Sequence, residues 1–222
     1  MAKRIVDLSL PVQDRTASPP SQSRQCSFET VRRGPDHWQA TWISLSVHTA
    51  SHVDSPLHCL EGAPPIDHLP LDRLVGRAAV LDLRSVHPEQ GITAEFLAAA
   101  SHSILDGDII LLHTGWSDRK FGDPDYFVRS PFLTDEAAHW LVARKPKAVG
   151  FDFFQERAAK TIDFKPEDFT THRILMKHGI TIIEGLTNLS VLEGRRATFF
   201  AAPLKLAGAE AAPARLFAIV ED

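Results

Sequence analysis

Four side chains able to bind a metal or move a proton fall in one short run of this chain, His48-Thr-Ala-Ser-His52-Val-Asp54-Ser-Pro56-Leu-His58. Imidazoles joined by a carboxylate suit Zn²⁺, Mn²⁺ or Fe²⁺, whereas Ca²⁺ and Mg²⁺ prefer sites made of oxygen alone. Two His and one Asp leave coordination positions open, the mark of a catalytic rather than a structural ion. Water on such an ion has its pKa lowered toward ~7, which yields hydroxide at neutral pH. His48, His52, Asp54 and His58 share one parity, so on an extended chain all four point the same way. A straight strand would spread them over roughly 33 Å at ~3.3 Å per residue, so the segment must curl. Ala50-Ser51 supplies small residues for one bend and Ser55-Pro56 forces another.

Other chemistries find less support. The chain has no Gly-x-Ser-x-Gly elbow, Gly-rich phosphate loop or His-Glu-x-x-His helix. Ser117, in Thr-Gly-Trp-Ser, reads as a turn residue after a buried strand. Cys26 and Cys59 are too few for a disulfide scaffold and read as reduced thiols. His37, His68, His87, His102, His139 and His178 lack partners in the sequence and read as structural or surface residues. A net charge of −4 gives no reason to expect nucleic acid or an anionic membrane as partner. No run approaches the ~18 apolar residues of a membrane span. The basic start Met1-Ala-Lys-Arg lacks an apolar signal core, since Asp7 and Ser9 interrupt it, and a cytoplasmic location is expected.

The elements that must hold the motif follow from periodicity. A first strand is expected over 4–10, then a long loop or flap over 13–37, rich in polar residues, Pro and Gly. Ile43, Leu45 and Val47 alternate with Ser44, Ser46 and His48, which predicts a strand with His48 on its polar face. Further strands are predicted over 78–83, 108–113, 147–153, 180–185 and 216–220. Thr93 and Thr134 are placed to cap helices, the second carrying Trp140 and Leu141 and ending near 145. A helix from about Thr171 carries Ile174, Leu175 and Lys177 and is ended by Gly179. Arg195-Arg196 reads as solvated surface. Interspersed strands and helices without a repeat or linker imply one mixed α/β or α+β domain over 1–222. Glu184 ends an otherwise apolar strand, where a buried charge needs compensation.

The run from His48 to His58 resembles the H-x-G-T-H-x-D-x-P-x-H signature of the Putative cyclase family of metal-dependent hydrolases, which includes bacterial kynurenine formamidases and isatin hydrolases. Asp7-Leu-Ser9-Leu-Pro11 resembles the family's opening, and Pro203-Leu-Lys205 with Ala212-Pro213-Ala-Arg215 its closing region. His172 and Glu184, in the helix–Gly179–strand unit, complete the resemblance. It implies a swivelling β/β/α fold, with a strand-rich barrel-like core and flanking helices, assembled as a homodimer or homotetramer. It also implies that His48, His52 and Asp54 hold a first ion and that Asp54, His172 and Glu184 hold a second, Asp54 bridging. The ions would be Zn²⁺ or Mn²⁺, one or two per chain, with His58 as proton donor and acceptor. Ala50 and Ser51 replace the signature's Gly and Thr, Pro19 stands near the place of a formamidase Trp, and Phe153-Phe154-Gln155-Glu156 replaces a Ser-x-Asp pattern. The expected activity is hydrolysis of a C–N bond in a small amide, arylformamidase-like or on a cyclic amide. A lactone hydrolase or polyketide-type cyclase, and a non-catalytic metal- or ligand-binding homologue, are the alternatives. Phe151, Phe153 and Phe154 could wall an aromatic pocket, or could equally be strand core.

Overall fold

The computed structural model describes residues 3–22, 25–101 and 104–221. In chain order its elements are strands β1 (Lys3–Asp7), β2 (Ser27–Arg33), β3 (Trp38–Ser44), β4 (His52–Asp54), β5 (Val75–Asp82) and β6 (Gly91–Ile92), then helix α1 (Ala94–Ala100). Next come β7 (Ile109–His113), α2 (Trp116–Lys120), β8 (Phe132–Leu133), α3 (Asp135–Ala143), β9 (Ala148–Phe151) and α4 (Thr170–Lys177). The chain ends with β10 (Thr181–Glu184), β11 (Arg196–Pro203) and β12 (Ala211–Glu221).

The main sheet runs β1-β12-β11-β5-β7-β9-β10-β4, and β4 pairs again with β12, so the strands from β12 round to β4 close a seven-stranded barrel. Closure depends on the length of β12. Its C-terminal part carries β1, with Lys3 opposite Glu221, while its start carries β4, with Pro213 opposite His52. Strands β5, β7, β9 and β10 are parallel, and α1, α3 and α4 make the crossovers that parallel neighbours require. Both faces of these strands are therefore covered. Ile109, Leu111, Ala148, Ile183, Val53 and Phe199 share one buried cluster that fills the barrel. Ile110, Leu112, Val149, Phe151 and Ile182 belong to a second, with Leu97, Leu141 and Leu175 of the helices. The barrel interior has no slack: a Cβ on Gly150 would lie 2.5 Å from Leu186 Cδ1 and 2.8 Å from Leu111 Cδ2.

Thr93 and Thr134 cap α1 and α3 as the sequence predicts, accepting from the backbone N–H groups of Phe96 and Ala137. Gly179, at φ +72°, follows α4. Elsewhere the structure departs from expectation. The loop foreseen over 13–37 contains β2, which forms a two-stranded ribbon with β3 and, among the described residues, pairs with no other strand. The strand expected to carry His48 stops at Ser44, and His48 sits in the turn beyond it. The alternation of Ile43, Leu45 and Val47 misled because a self-paired ribbon has no core face to report; Ile43 and Trp42 are exposed at 53% and 60%. Strand β11 went unrecognised because its inward positions include Ala197 and Ala201, residues with weak strand preference. Among the described residues no helix is long and apolar enough to cross a membrane.

Candidate metal centre

Strand β4 is the seat of the site. Its three residues are fully buried between β10 and β12, with Val53 inside the barrel and His52 and Asp54, two apart, on the opposite face. Glu184 stands across from His52 in the register of β10. The preceding turn is locked to this edge. Ser51 Oγ donates to the Gly185 carbonyl at 2.6 Å and accepts from the Leu10 N–H at 2.7 Å. Ala50 takes the left-handed conformation, φ 55°, that the turn demands, which accounts physically for the glycine of the family signature. Gly185, also left-handed, lies so close that a Cβ there would meet the Ala50 carbonyl oxygen at 2.4 Å.

The turn, a short 3-10 segment at Pro56–His58 and the first turns of α4 bring the remaining groups in. His52 Nδ1 lies 2.9 Å from the Ala50 carbonyl, an acceptor only, so Nδ1 carries a proton and Nε2 is the ring atom turned to the site. Nε2 is 3.5 Å from both Asp54 Oδ1 and Glu184 Oε2. His48 Nδ1 lies 3.0 Å from Asp54 Oδ1, and its Nε2 lies 3.3 Å from Glu210 Oε1. His172 Nε2 is 3.1 Å from Glu184 Oε1 and 3.7 Å from Asp54 Oδ2. The His58 ring is 4.2 Å from that of His48 and 5.6 Å from that of His172. The structure thus gathers His48, His52, Asp54, His58, His172 and Glu184 around one focus.

Protonation follows from this crowding. Burial opposes charge on His48, but the carboxylate of Asp54 overrides it, and Glu210 adds to the pull, raising His48 to about 10. Burial likewise opposes charge on His172, yet Asp54, Glu156 and Glu184 hold it well above the ordinary histidine range. Asp54 pays a desolvation cost that His52 and His48 more than offset, leaving it well below the usual carboxylate range. His58 goes the other way. Burial, only partly countered by Asp54 and reinforced by His48 and His172, pushes it down to about 4, so its ring is neutral at pH 7.

The donor set fits a divalent cation by a direct criterion. His52 Nε2 and both carboxylate oxygens of Asp54 are buried and complete no hydrogen bond, although the nearby His48 and His52 offset the carboxylate charge. Donor atoms of His48, Asp54 and His58 lie within 4.8 Å of one another, as do those of His52, Asp54 and Glu184. Asp54 is common to both sets, while their other members cut across the division that the family resemblance implies. Asp82, His113 and Glu193 form a third such set. There the Arg84 guanidinium already bridges Asp82 at 2.6 Å and Glu193 at 3.1 Å, so the acids have their cation.

Three residues of the site carried no recognisable signal. Glu156, 2% exposed, accepts from Thr171 Oγ1 at 2.7 Å and lies 3.0 Å from His172 Nδ1, which fixes the ring so that Nε2 faces Asp54 and Glu184. Gln155 donates to Glu184 Oε1 at 2.6 Å. Glu210, drawn down to about 2 mainly by His48, comes from a loop before β12. The first two stand where the chain departs from the family's Ser-x-Asp pattern.

A cavity of about 160 Å³ opens beside these groups, lined among others by Leu10, Phe127, Phe153, Phe154, Phe164 and Phe169. Pro19 lines it too. Phe151 does not; it is sealed in the core beneath the helices, edge-on to Phe153 at 5.5 Å, because its strand position faces α3 and α4. Phe169 stacks on the His172 ring at 4.0 Å. Cys59 turns its thiol to Met176 rather than to the site, and burial pushes its pKa up. Ser117 Oγ donates to the Asp152 carbonyl, a structural role. His37, His68, His87, His139 and His178 are exposed, and His102 lies outside the described residues.

Comparison with known proteins places the chain in a family. The sequence model of a family described as Putative cyclase matches residues 6–155. A kynurenine formamidase from Salinibacter ruber is 31% identical over 230 residues, covering 98% of this chain and 97% of that one. An isatin hydrolase A from Labrenzia aggregata, solved with benzyl benzoate bound, superposes with a TM-score of 0.83 at 27% identity, covering 99% of this chain and 94% of that one. A solved structure described as a potential metal-dependent hydrolase with cyclase activity gives 0.75 at 32% identity, covering both chains completely.

Proposed function

The chain belongs to the cyclase family, and from that membership together with the site geometry we propose that it hydrolyses the C–N bond of a small aromatic amide with the help of Zn²⁺ or Mn²⁺. One observation carries the reading: the buried atoms His52 Nε2, Asp54 Oδ1 and Asp54 Oδ2 converge without completing a hydrogen bond. His48, His52 and Asp54, with His172 and Glu184, are the residues that would hold the cation. When bound, a divalent cation supplies Lewis acidity, lowering the pKa of water and polarising a carbonyl oxygen.

The protein's own groups do the rest. His58, neutral at pH 7 and lodged between the rings of His48, His172 and Phe169, takes a proton from the attacking water and delivers it to the leaving nitrogen. The phenyl rings of Phe153, Phe154, Phe127 and Phe169 offer faces and edges to a planar substrate and exclude water from the reacting carbonyl. Pro19 and Leu10 shape the wall nearest the N-terminal segment.

The reading is tested with metal-free protein reloaded with Zn²⁺ or Mn²⁺ and offered formanilide, isatin and an aromatic lactone. The expected result is amide turnover that His58→Asn lowers by ~10²–10⁴ with metal content unchanged. Stoichiometric metal without amide turnover, or turnover of the lactone alone, overturns it.

A further inference from the structure

Resting on the metal-centre reading, we infer that Gln155 is itself a protein ligand, presenting its side-chain oxygen to the cation held by His172 and Glu184. The residue is an unusual one to find there. It is 1% exposed and follows β9, and its backbone carbonyl is anchored by the Leu133 N–H at 3.0 Å. Its amide terminus reaches directly into the site. The nitrogen lies 2.6 Å from Glu184 Oε1 and 3.2 Å from His172 Nε2, which are themselves 3.1 Å apart.

Two of those separations, 3.1 and 3.2 Å, match the edges expected of neighbouring ligands on one ion, and the third is the length of the present hydrogen bond. Donors ~2.1 Å from an octahedral centre lie ~3.0 Å from each other, and on a tetrahedral centre ~3.4 Å. The amide terminus therefore lies beside both ligand atoms, within reach of the same ion by rotation of its own side chain. Only its orientation is wrong for a cation, because an amide N–H₂ cannot donate a lone pair. Meanwhile the amide oxygen is buried with no hydrogen-bond partner, an arrangement that nothing in the metal-free site rewards. Oxygen and nitrogen of a carboxamide are nearly the same size, so a half-turn about the last side-chain bond exchanges them.

The cation decides which way the amide faces. Without it, the N–H₂ neutralises part of the charge on Glu184. With a divalent charge between His172 Nε2 and Glu184 Oε1, the same hydrogens are repelled and the oxygen is drawn in. A carbonyl-type oxygen added to imidazole and carboxylate also shifts the ligand set toward Mn²⁺ and away from Zn²⁺, since carbonyl oxygens favour the harder ion.

Calorimetric titration of metal-free wild type and Gln155→Ala with Mn²⁺ and with Zn²⁺, together with a crystal structure of the Mn²⁺-loaded wild type, tests this. Gln155→Ala is expected to weaken Mn²⁺ at least tenfold and Zn²⁺ by less, with Gln155 Oε1 within about 2.4 Å of the ion in the crystal. An ion held by His172 and Glu184 while the Gln155 nitrogen still faces Glu184 overturns the inference and leaves the metal centre standing. No ion on His172 and Glu184 at all overturns both.

Discussion

Replacing Glu156 with Gln isolates what one buried carboxylate does for the metal centre. Glu156 Oε2 receives Thr171 Oγ1 at 2.7 Å and faces His172 Nδ1 at 3.0 Å and the His172 N–H at 3.3 Å. Gln keeps the volume and one acceptor oxygen but removes the charge. Bonds to a charged group are worth ~1.5–3 kcal/mol against ~0.5–1.5 for neutral ones, so the change costs about 1–2 kcal/mol. In a chain of 222 residues that lowers the melting temperature by about 2–8 °C. The larger effect falls on the ion. Loss of the partner that orients a ligating histidine typically weakens binding 10–100-fold, here because the amide nitrogen can turn to His172 Nδ1 and oppose its proton. Competition against a chelator of known affinity reads that loss, and thermal unfolding of metal-free protein reads the stability term separately. Unchanged metal affinity in a protein with the expected fall in stability would refute the role given to Glu156 and leave it a packing residue.

Ala50→Gly relieves a left-handed alanine and, after the greater freedom of glycine in the unfolded chain is subtracted, is expected to stabilise by about 0.5–1 kcal/mol, read as a rise of a few degrees in thermal unfolding. Ser51→Ala leaves the Leu10 N–H and the Gly185 carbonyl without their shared hydroxyl and should cost about 2–4 kcal/mol by denaturant titration. With His48 raised to about 10 and His172 well above 6.5, both rings carry protons in the metal-free protein at pH 7.5. Loading them as neutral ligands must release about two protons, measurable by calorimetry in buffers of different ionisation enthalpy, and release of fewer than one speaks against their ligation. The signs for stability follow. The contribution of His48 in the metal-free protein is complete below its unfolded value of 6.5 and is lost as pH rises toward about 10, that of Asp54 is present above 3.8, and His58, lowered to about 4, costs stability as pH falls below 6.5, so unfolding curves should show stability declining from about pH 6.5 toward 10.

The chemistry of the site was legible because His52, Asp54 and the positions flanking them share one parity, and β4 does project His52 and Asp54 from one face. The curl was also foreseeable from Ala50-Ser51 and Ser55-Pro56, but its direction was not. His48 reaches the focus from a turn before β4, and the alternation that placed it on a strand belongs to the self-paired ribbon of β2 and β3. Caps at Thr93 and Thr134 were readable because they act within one turn of chain. Gln155, Glu156 and Glu210 were not, because their partners lie 12 or more residues away in sequence and no local periodicity encodes a contact made through tertiary packing. Closure of the barrel is invisible for the same reason: nothing in the residues of β12 announces that β1 and β4 will share one of its edges.

That closure and the assembly of the site are one event. Strand β4 is three residues long and meets β10 on one side and β12 on the other, so it has no stability apart from the two edges it joins. The same three residues carry His52 and Asp54, whose partners arrive on β10 and α4. The pairings that seat β4 therefore also set the separations between the candidate ligands. A cation that binds only the closed arrangement adds RT ln(1 + [L]/Kd) to its stability, about 2.7 kcal/mol at a hundredfold excess over Kd. A cation held by Asp54 and its neighbours on β10 and α4 would therefore couple metal binding to the seam at which the barrel closes.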